Sequence, residues 1–118
     1  MIHSYKDLIV WQKSMKLVVA IYELTDKFPR EEVFGLTSQI RRAAVSIPSN
    51  IAEGRMRGYR KEYRHFLLNS FGSGGELETQ IEIAKQLPKS SGLNYAAVDS
   101  LLNEVMRMLN SIINKLKT

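Results

Sequence analysis

The sequence GLTSQIRRAAVSIPSNIAEG, residues 35–54, spaces its apolar residues three and four positions apart. That spacing is the period of an α-helix with one buried face. The predicted buried face consists of Leu36, Ile40, Ala44, Ile47 and Ile51. The stretch is also rich in small residues, namely Ala43, Ala44, Ser46, Ser49 and Ala52. Because small side chains let a neighbouring backbone come close, we expect this helix, helix 2, to be the most buried.

The boundaries of helix 2 are set by its flanking residues. The helix is predicted to begin between Glu31 and Thr37 and to end at Gly54, which suits a C-cap position. Pro48 lies inside it and removes a hydrogen bond to the Ala44 carbonyl, which predicts a kink or a local break. Two short helices divided at Ile47 are the alternative.

Helix 1 is predicted from the same period to run from about Lys6 to Lys27. Ser4 is a suitable cap before it, and Pro29 follows its end. Its predicted inward stripe is Leu8, Trp11, Met15, Val18 and Tyr22.

Helix 3 is predicted over about Tyr59 to Leu87. Its inward residues are Tyr59, Tyr63, Phe66, Ser70, Leu77, Ile81 and Ala84. Gly72, Gly74 and Gly75 interrupt it, and each costs up to about 1 kcal/mol relative to alanine in a helix interior. Close contact with another helix at the glycines would offset that cost. A loop that divides the segment is the alternative.

Helix 4 follows the turn at residues 88–92, with Asn94 as its cap. A heptad seam is formed by Val98, Leu102, Val105, Leu109, Ile112 and Leu116. The apolar surface is widened by Leu101, Met106, Met108 and Ile113. This width favours contact with both the helix's own bundle and a second subunit. The alternative is a stripe buried wholly within one subunit.

Short connections between four long helices favour antiparallel neighbours. The predicted fold class is therefore all-α, an antiparallel up-down-up-down four-helix bundle with a kinked helix 2. Its length of 118 residues fits a single domain over residues 1–118.

The composition excludes several classes of protein. The absence of cysteine rules out disulfides, thiolate metal sites and a cysteine nucleophile. Residues 1–7 lack a signal-peptide pattern, and no segment approaches the ~20 apolar residues that cross a bilayer. We expect a cytoplasmic protein with no membrane partner and no cofactor.

Positive charge is concentrated in one part of the chain. Between Arg41 and Arg64 there are seven cations and two acids, whereas the other ten cations and ten acids cancel. Alternating helix directions would bring the start of helix 1, the turn between helices 2 and 3, and the end of helix 4 to one end of the bundle. The cations gathered there would be Lys6, Arg55, Arg57, Arg60, Lys61, Arg64, Lys115 and Lys117, with Asp7 and Glu62 nearby. Such a surface suits a polyanion, and a solvated face is the plain alternative.

The order of charges in helix 3 indicates a ligand. Cations in the first turns and acids further along oppose the helix dipole, so we expect no gain in stability from them. A phosphate ligand would be bound favourably there, because helix-start amides and arginines both interact well with phosphate. The predicted nucleic-acid-binding residues are Arg55, Arg57, Arg60, Lys61, Arg64, Lys115 and Lys117. No base-reading motif is present, so sequence specificity is not expected.

Tyr59 and Tyr63 lie between these cations in the sequence. The favoured interpretation places both in the core stripe of helix 3. Stacking on unpaired bases, as in proteins that bind single strands, is the alternative.

Catalytic and metal-binding patterns are weak. Glu62 and His65 form one Glu-x-x-His pair, but a di-iron bundle needs two such pairs, and His3 lies near the N-terminus. His65 is better interpreted as a residue at the bundle edge or at a subunit contact. The glycine-rich run at residues 72–75 lacks the strand and the lysine of a phosphate loop. A hydrogen-bonded network that fixes helix register is the preferred interpretation of Gln39, Asn50, Glu53 and Glu76.

Several runs resemble one family over nearly the whole chain. They are Trp11-Gln12, Phe28-Pro29, the long run of residues 35–54, Gly72-Ser73 and Glu76-Leu77-Glu78. They are similar to the four-helix-bundle proteins encoded within intervening sequences of bacterial 23S rRNA genes. The pair Gly74-Gly75 departs from the bulkier residues expected there, which leaves the straightness of helix 3 open.

The resemblance implies a homopentameric ring. It also implies kinship with the accessory variability determinant of diversity-generating retroelements, a pentameric basic barrel that engages nucleic acid and a reverse transcriptase. It implies no established enzymatic activity. We therefore expect an oligomeric, non-enzymatic scaffold that binds RNA or DNA. A structural protein-interaction module without a nucleic-acid ligand is the alternative.

Overall fold

The computed structural model describes residues 4–117, which form four α-helices and no strand. The helices are α1 (Ile9–Thr25), α2 (Leu36–Met56), α3 (Arg60–Gln86) and α4 (Ala96–Lys115), and two 3-10 turns (Tyr5–Asp7 and Arg30–Glu32) precede α1 and α2. The predicted all-α class is confirmed. Within residues 4–117, no helix combines the length and the apolar character needed to cross a membrane.

The contacts between α3 and α4 show that these two helices run in opposite directions. At one end, the Arg60 guanidinium donates to the Lys115 carbonyl over 2.8 Å. At the other end, the Lys85 ammonium lies 2.8 Å from the Asp99 carboxylate. The start of α3 therefore meets the end of α4.

The remaining neighbours run in the same alternating order. Arg41, near the start of α2, donates to Asp26 just after the end of α1. The Ser70 hydroxyl of α3 donates over 2.8 Å to the Ile47 carbonyl near the middle of α2. α1 and α4 also pack together, and α1 and α3 are diagonal, because no pair of their Cα atoms lies within 8 Å. These contacts are those of an up-down-up-down bundle, 45 Å long and 23 Å wide.

The predicted inward face of α2 is confirmed. Ile40, Ala44, Ile47 and Ile51 are completely buried, and Leu36 is half-buried at the start. α2 carries more buried residues than any other helix, as its small residues predict. At its centre the hydroxyls of Ser46 in α2 and Ser73 in α3 are hydrogen-bonded to each other.

α2 is one unbroken helix across Pro48, so the division at Ile47 is wrong. Pro48 is buried. The kink at Pro48 stays a prediction.

The predicted end of α2 at Gly54 is also wrong. The helix continues to Met56, and the chain turns at Gly58, whose φ of 79° is readily adopted only by glycine. Gly54 instead lies buried against α3, where an added Cβ would be 2.6 Å from the Cβ of Phe66. The glycine therefore serves close packing of α2 on α3.

α3 is continuous through its glycines, so the dividing loop is wrong. Of the three glycines of α3, only Gly74 is in close contact with another helix, since an added Cβ there would meet the Met106 side chain of α4. Gly72 and Gly75 face open space. The stripe prediction fails at Tyr59, which is 73% exposed, because Tyr59 precedes the helix and extends beyond the packed part of the bundle.

The predicted inward stripe of α1 is displaced. The buried apolar residues are Val10, Leu17, Ile21 and Leu24, whereas Met15 and Tyr22 are exposed. The other predicted members, Leu8, Trp11 and Val18, are half-buried. Since α1 carries apolar residues on most of its sides, its periodicity does not define a single inward face. Ser4 caps the 3-10 turn before α1 and not α1 itself.

α4 follows its predicted seam as far as Leu109, after which Ile113 is buried in place of Ile112. The flanking residues Leu101, Met106 and Met108 pack partly against the core of the same chain. Among the described residues, the large apolar side chains that are exposed all lie outside α4. The wide apolar surface of α4 is thus largely covered within one chain, and its contact with a second subunit stays a prediction.

We predict that Gly54→Ala lowers the free energy of unfolding by about 1–3 kcal/mol, because the new methyl group overpacks the contact between α2 and Phe66. Gly92→Ala is the matched control, since it adds the same atom in open space in the turn before α4 and should change the free energy of unfolding by no more than about 0.5 kcal/mol. Urea denaturation of both variants measures the difference. Equal stabilities would show that α2 and α3 are not in close contact at Gly54.

Candidate nucleic-acid interface

The structure brings all seven predicted binding residues to one end of the bundle. They come from the last turn of α2 and the turn after it, the first two turns of α3, and the end of α4 and the residues beyond it. We call this surface the basic end, and it comprises Arg55, Arg57, Arg60, Lys61, Arg64, Lys115 and Lys117. The hydrogen bond from Arg60 to the Lys115 carbonyl joins the start of α3 directly to the end of α4.

Two adjoining clefts cover the basic end. The first, of about 710 Å³, is lined by Arg60, Lys61, Arg64, His65, Leu68, Leu116 and Lys117. The second, of about 500 Å³, is lined by Gly54, Arg55, Gly58, Tyr59, Arg60, Tyr63 and Leu116. Arg60 and Leu116 lie on the ridge between them. Both clefts are open and cationic, which suits a chain of phosphates better than an enclosed small molecule.

Arg60 and Arg64 have a structural role that sequence reasoning missed. Arg60 donates to the Lys115 carbonyl, and the Arg64 Nε donates to the Ile113 carbonyl over 3.2 Å. Cations beside the carbonyls at a helix C-terminus interact favourably with the helix dipole. The expectation that the fold gains nothing from cations at the start of α3 is therefore wrong, because these two stabilise the end of α4.

Arg57 is largely neutralised. Its guanidinium lies 2.9 Å from the Glu53 carboxylate, 3.5 Å from Glu62, and 5.0 Å from the centre of the Phe66 ring. The hydrogen bond to Glu53 raises the pKa of Arg57 above its ordinary value. Arg57 therefore contributes less free charge to the basic end than its position in the sequence suggests.

The side chains of four of the remaining cations have neither a hydrogen-bonded nor a charged partner among residues 4–117. Within the described chain, Arg55, Lys61, Lys115 and Lys117 form no ion pair. All four are exposed, and the Arg55 guanidinium lies 5.7 Å from the centre of the Tyr63 ring. These are the cations most available to a ligand.

The two tyrosines of the basic end differ in environment. Tyr63 packs against the core, and burial raises the pKa of its hydroxyl. Tyr59 immediately precedes α3, and its side chain neither caps the helix nor packs into the core. The core assignment is thus right for Tyr63, although only in part, and wrong for Tyr59.

Glu62 and His65 have separate environments. Glu62 pairs with Arg57, whereas His65 is exposed and contacts Phe66 edge-on at 5.5 Å between ring centres. No group of three potential metal ligands occurs in residues 4–117. His3 lies outside the described residues.

The predicted register network is only partly present. Asn50 donates to the Ser46 carbonyl over 2.8 Å and so joins the serine contact between α2 and α3. Gln39 and Glu76 are exposed, and Glu53 pairs with Arg57. Residues of this type lie beside an apolar stripe without entering the core, because long polar side chains reach solvent readily.

We predict that Arg64→Ala lowers stability by about 0.3–1 kcal/mol, because the end of α4 loses a donor to its carbonyls. Lys61→Ala removes a neighbouring cation that has no such contact and should cause no loss. Thermal unfolding of the two variants checks this difference. If Lys61→Ala were the more destabilising change, the capping role of Arg64 would be wrong.

A comparison with protein families identifies most of the chain. A sequence model described as "23S rRNA-intervening sequence protein" matches residues 6–111, which include α1, α2 and α3 and most of α4. Among curated proteins, no sequence matches the chain. With a match over nearly its whole length, the chain belongs to the 23S rRNA-intervening sequence protein family.

Proposed function

We propose that this protein is a homo-oligomeric, non-enzymatic scaffold that binds nucleic acid through its basic end, without strong sequence specificity. The observation that supports this most is the group of four cations, Arg55, Lys61, Lys115 and Lys117, which form no ion pair within residues 4–117. Arg55, Lys61 and Lys117 line two open clefts at one end of a bundle that is only 23 Å wide, and Lys115 directly precedes Leu116, which lines both. Phosphates spaced along a strand could contact several of them together.

The chemistry of the basic end favours phosphate over base edges. Lysine and arginine bind phosphate oxygens and release counterions, which gives affinity that falls steeply with salt. Within residues 4–117, the helices that reach this end, α2, α3 and α4, all pack in the bundle, so the expected contacts carry little sequence information. The family description refers to 23S rRNA, so fragments of that RNA are the first ligands to test, with duplex DNA beside them.

We predict that the combined change of Arg55, Lys61 and Lys117 to glutamate abolishes RNA binding at low salt. The control reverses the same number of charges at the opposite end of the bundle, at Lys27, Arg30 and Arg42. Binding titrations at two salt concentrations compare these variants with the unchanged protein, and the basic-end variant should also lose most of the salt dependence. Absence of binding by the unchanged protein in low salt would remove the proposal.

Self-association is supported by apolar residues exposed on two opposite sides of the bundle. On α1, Met15, Val19 and Tyr22 form one stripe, which Val45 of α2 extends. On α3, Leu68 and Ile83 flank the exposed Gly72 and Thr79. α1 and α3 are diagonal in the bundle. A closed ring needs two different surfaces on each subunit, and these two faces meet that requirement.

The glycines of α3 add a second argument for assembly. Gly72 and Gly75 each cost up to about 1 kcal/mol in a helix interior, and no neighbour among residues 4–117 requires their small size. A helix of another subunit packed closely on this face would offset the cost. The ring size of five is taken from the family resemblance.

We predict that Val19→Glu and Ile83→Glu each disrupt the oligomer, because each places a charge in one of the two faces. Asn103→Glu, on the exposed side of α4, should leave the assembly intact. Light scattering after size-exclusion chromatography gives the masses.

A mixture of the Val19→Glu and Ile83→Glu proteins distinguishes a ring from a symmetric dimer. In a ring, each variant retains one good face, so the mixture should form dimers and stop there. Full assembly by either variant alone would show that its altered face is not an interface.

The alternative function is a protein-interaction module with no nucleic-acid ligand. It is favoured by Phe34, which is 98% exposed beside a cleft of about 600 Å³ between the end of α1 and the start of α2. A reverse transcriptase is the partner that the family resemblance implies. For either function we place the protein in the cytoplasm, in keeping with its lack of cysteine.

A further inference from the structure

We propose that the basic end recognises unpaired nucleotides, by stacking a base on the ring of Tyr59 while Arg55 and Arg60 hold the adjoining phosphates. This inference rests on the proposed function and narrows its ligand from nucleic acid in general to single strands, loops and bulges.

The first argument is that Tyr59 has no role within its own subunit. Its ring is 73% exposed, and its side chain has neither a hydrogen bond nor a ring contact to any of residues 4–117. Tyrosine is also a poor choice at a helix N-cap, where a short polar side chain would accept from the free amides. The residue therefore contributes little to the fold at a position where stability favours another residue type.

The second argument is the position of the ring. Tyr59 lines a cleft of about 500 Å³ together with Arg55 and Arg60. Gly58 has open space where a side chain would lie, so the cleft is not closed on that side. An exposed aromatic ring in a cleft lined by cations is the arrangement with which sequence-tolerant proteins bind single strands, since every base has a face that can stack.

The third argument concerns the path of the strand. Across the ridge at Arg60, the neighbouring cleft presents Lys61 and Lys117 to the next phosphates. A backbone that crosses the ridge would place one base beside Tyr59 and continue over a positive surface. In a duplex both faces of each interior base are already stacked, so a duplex would meet the cations and leave Tyr59 unused.

The test uses a single-stranded RNA of about 12 nucleotides, labelled with 2-aminopurine, and the duplex of the same sequence. Tyr59→Ala is compared with Tyr59→Phe, Tyr59→Trp and, as an exposed aromatic at the opposite end, Phe34→Ala. We expect Tyr59→Ala to weaken single-strand binding about five-fold or more and to abolish quenching of the 2-aminopurine fluorescence. Duplex affinity and the salt dependence should not change, because no charge is lost. The Phe and Trp variants and Phe34→Ala should bind as the unchanged protein does.

The other outcomes are separable. Equal weakening of single-strand and duplex binding, or no weakening at all, would overturn the role of Tyr59 and leave the proposed function standing. A change in oligomer mass by Tyr59→Ala would assign the ring to a subunit contact instead. Failure of the unchanged protein to bind either RNA at low salt would remove the proposed function together with this inference.

Discussion

The close approach of α2 and α3 is the constraint on which the other features depend. It is possible because α2 presents Gly54, alanines and serines to its neighbour, and because the Ser70 hydroxyl reaches the Ile47 carbonyl across the contact. Helices separated by large side chains would need a wider turn. Here the turn is short, and its cations are held within reach of one another. The small residues of α2 thus determine how densely charge is packed at the basic end.

The cations of the basic end divide into two groups with different physical roles. Arg57, Arg60 and Arg64 are engaged by carboxylates or by helix-end carbonyls, so they shape the surface and stabilise it. Arg55 and the lysines have no such partners among residues 4–117. Together with Arg60 and Arg64 they carry the field that a polyanion would meet, since a hydrogen bond to a neutral carbonyl leaves the charge of a guanidinium in place. Substitutions in the first group would therefore change both the stability of the protein and its affinity for a ligand. Variants of the second group report on binding more directly.

The sequence predicted those features that depend on strong local signals. The buried stripe of α2 and most of the seam of α4 follow from regular spacing of aliphatic residues, and the clustering of the seven cations follows from alternating helix directions. The inward face of α1 does not follow from its sequence, because the helix is apolar on several sides and neighbouring helices select the face that is buried. Gly54 resembles a helix end in the sequence, since a glycine required by packing looks the same there as a C-cap glycine. The partners of Arg60 and Arg64 lie about 50 residues away, and no local pattern indicates such contacts.

The central claim is that nucleic acid binds at the basic end. Hydrogen exchange of the assembled protein, measured with and without saturating single-stranded RNA, tests it most directly, because it maps the ligand without any substitution. The account predicts slower exchange at residues 55–64 and at the end of α4, with little change at the start of α2. Protection centred on the start of α2, or none at residues 55–64, would contradict it.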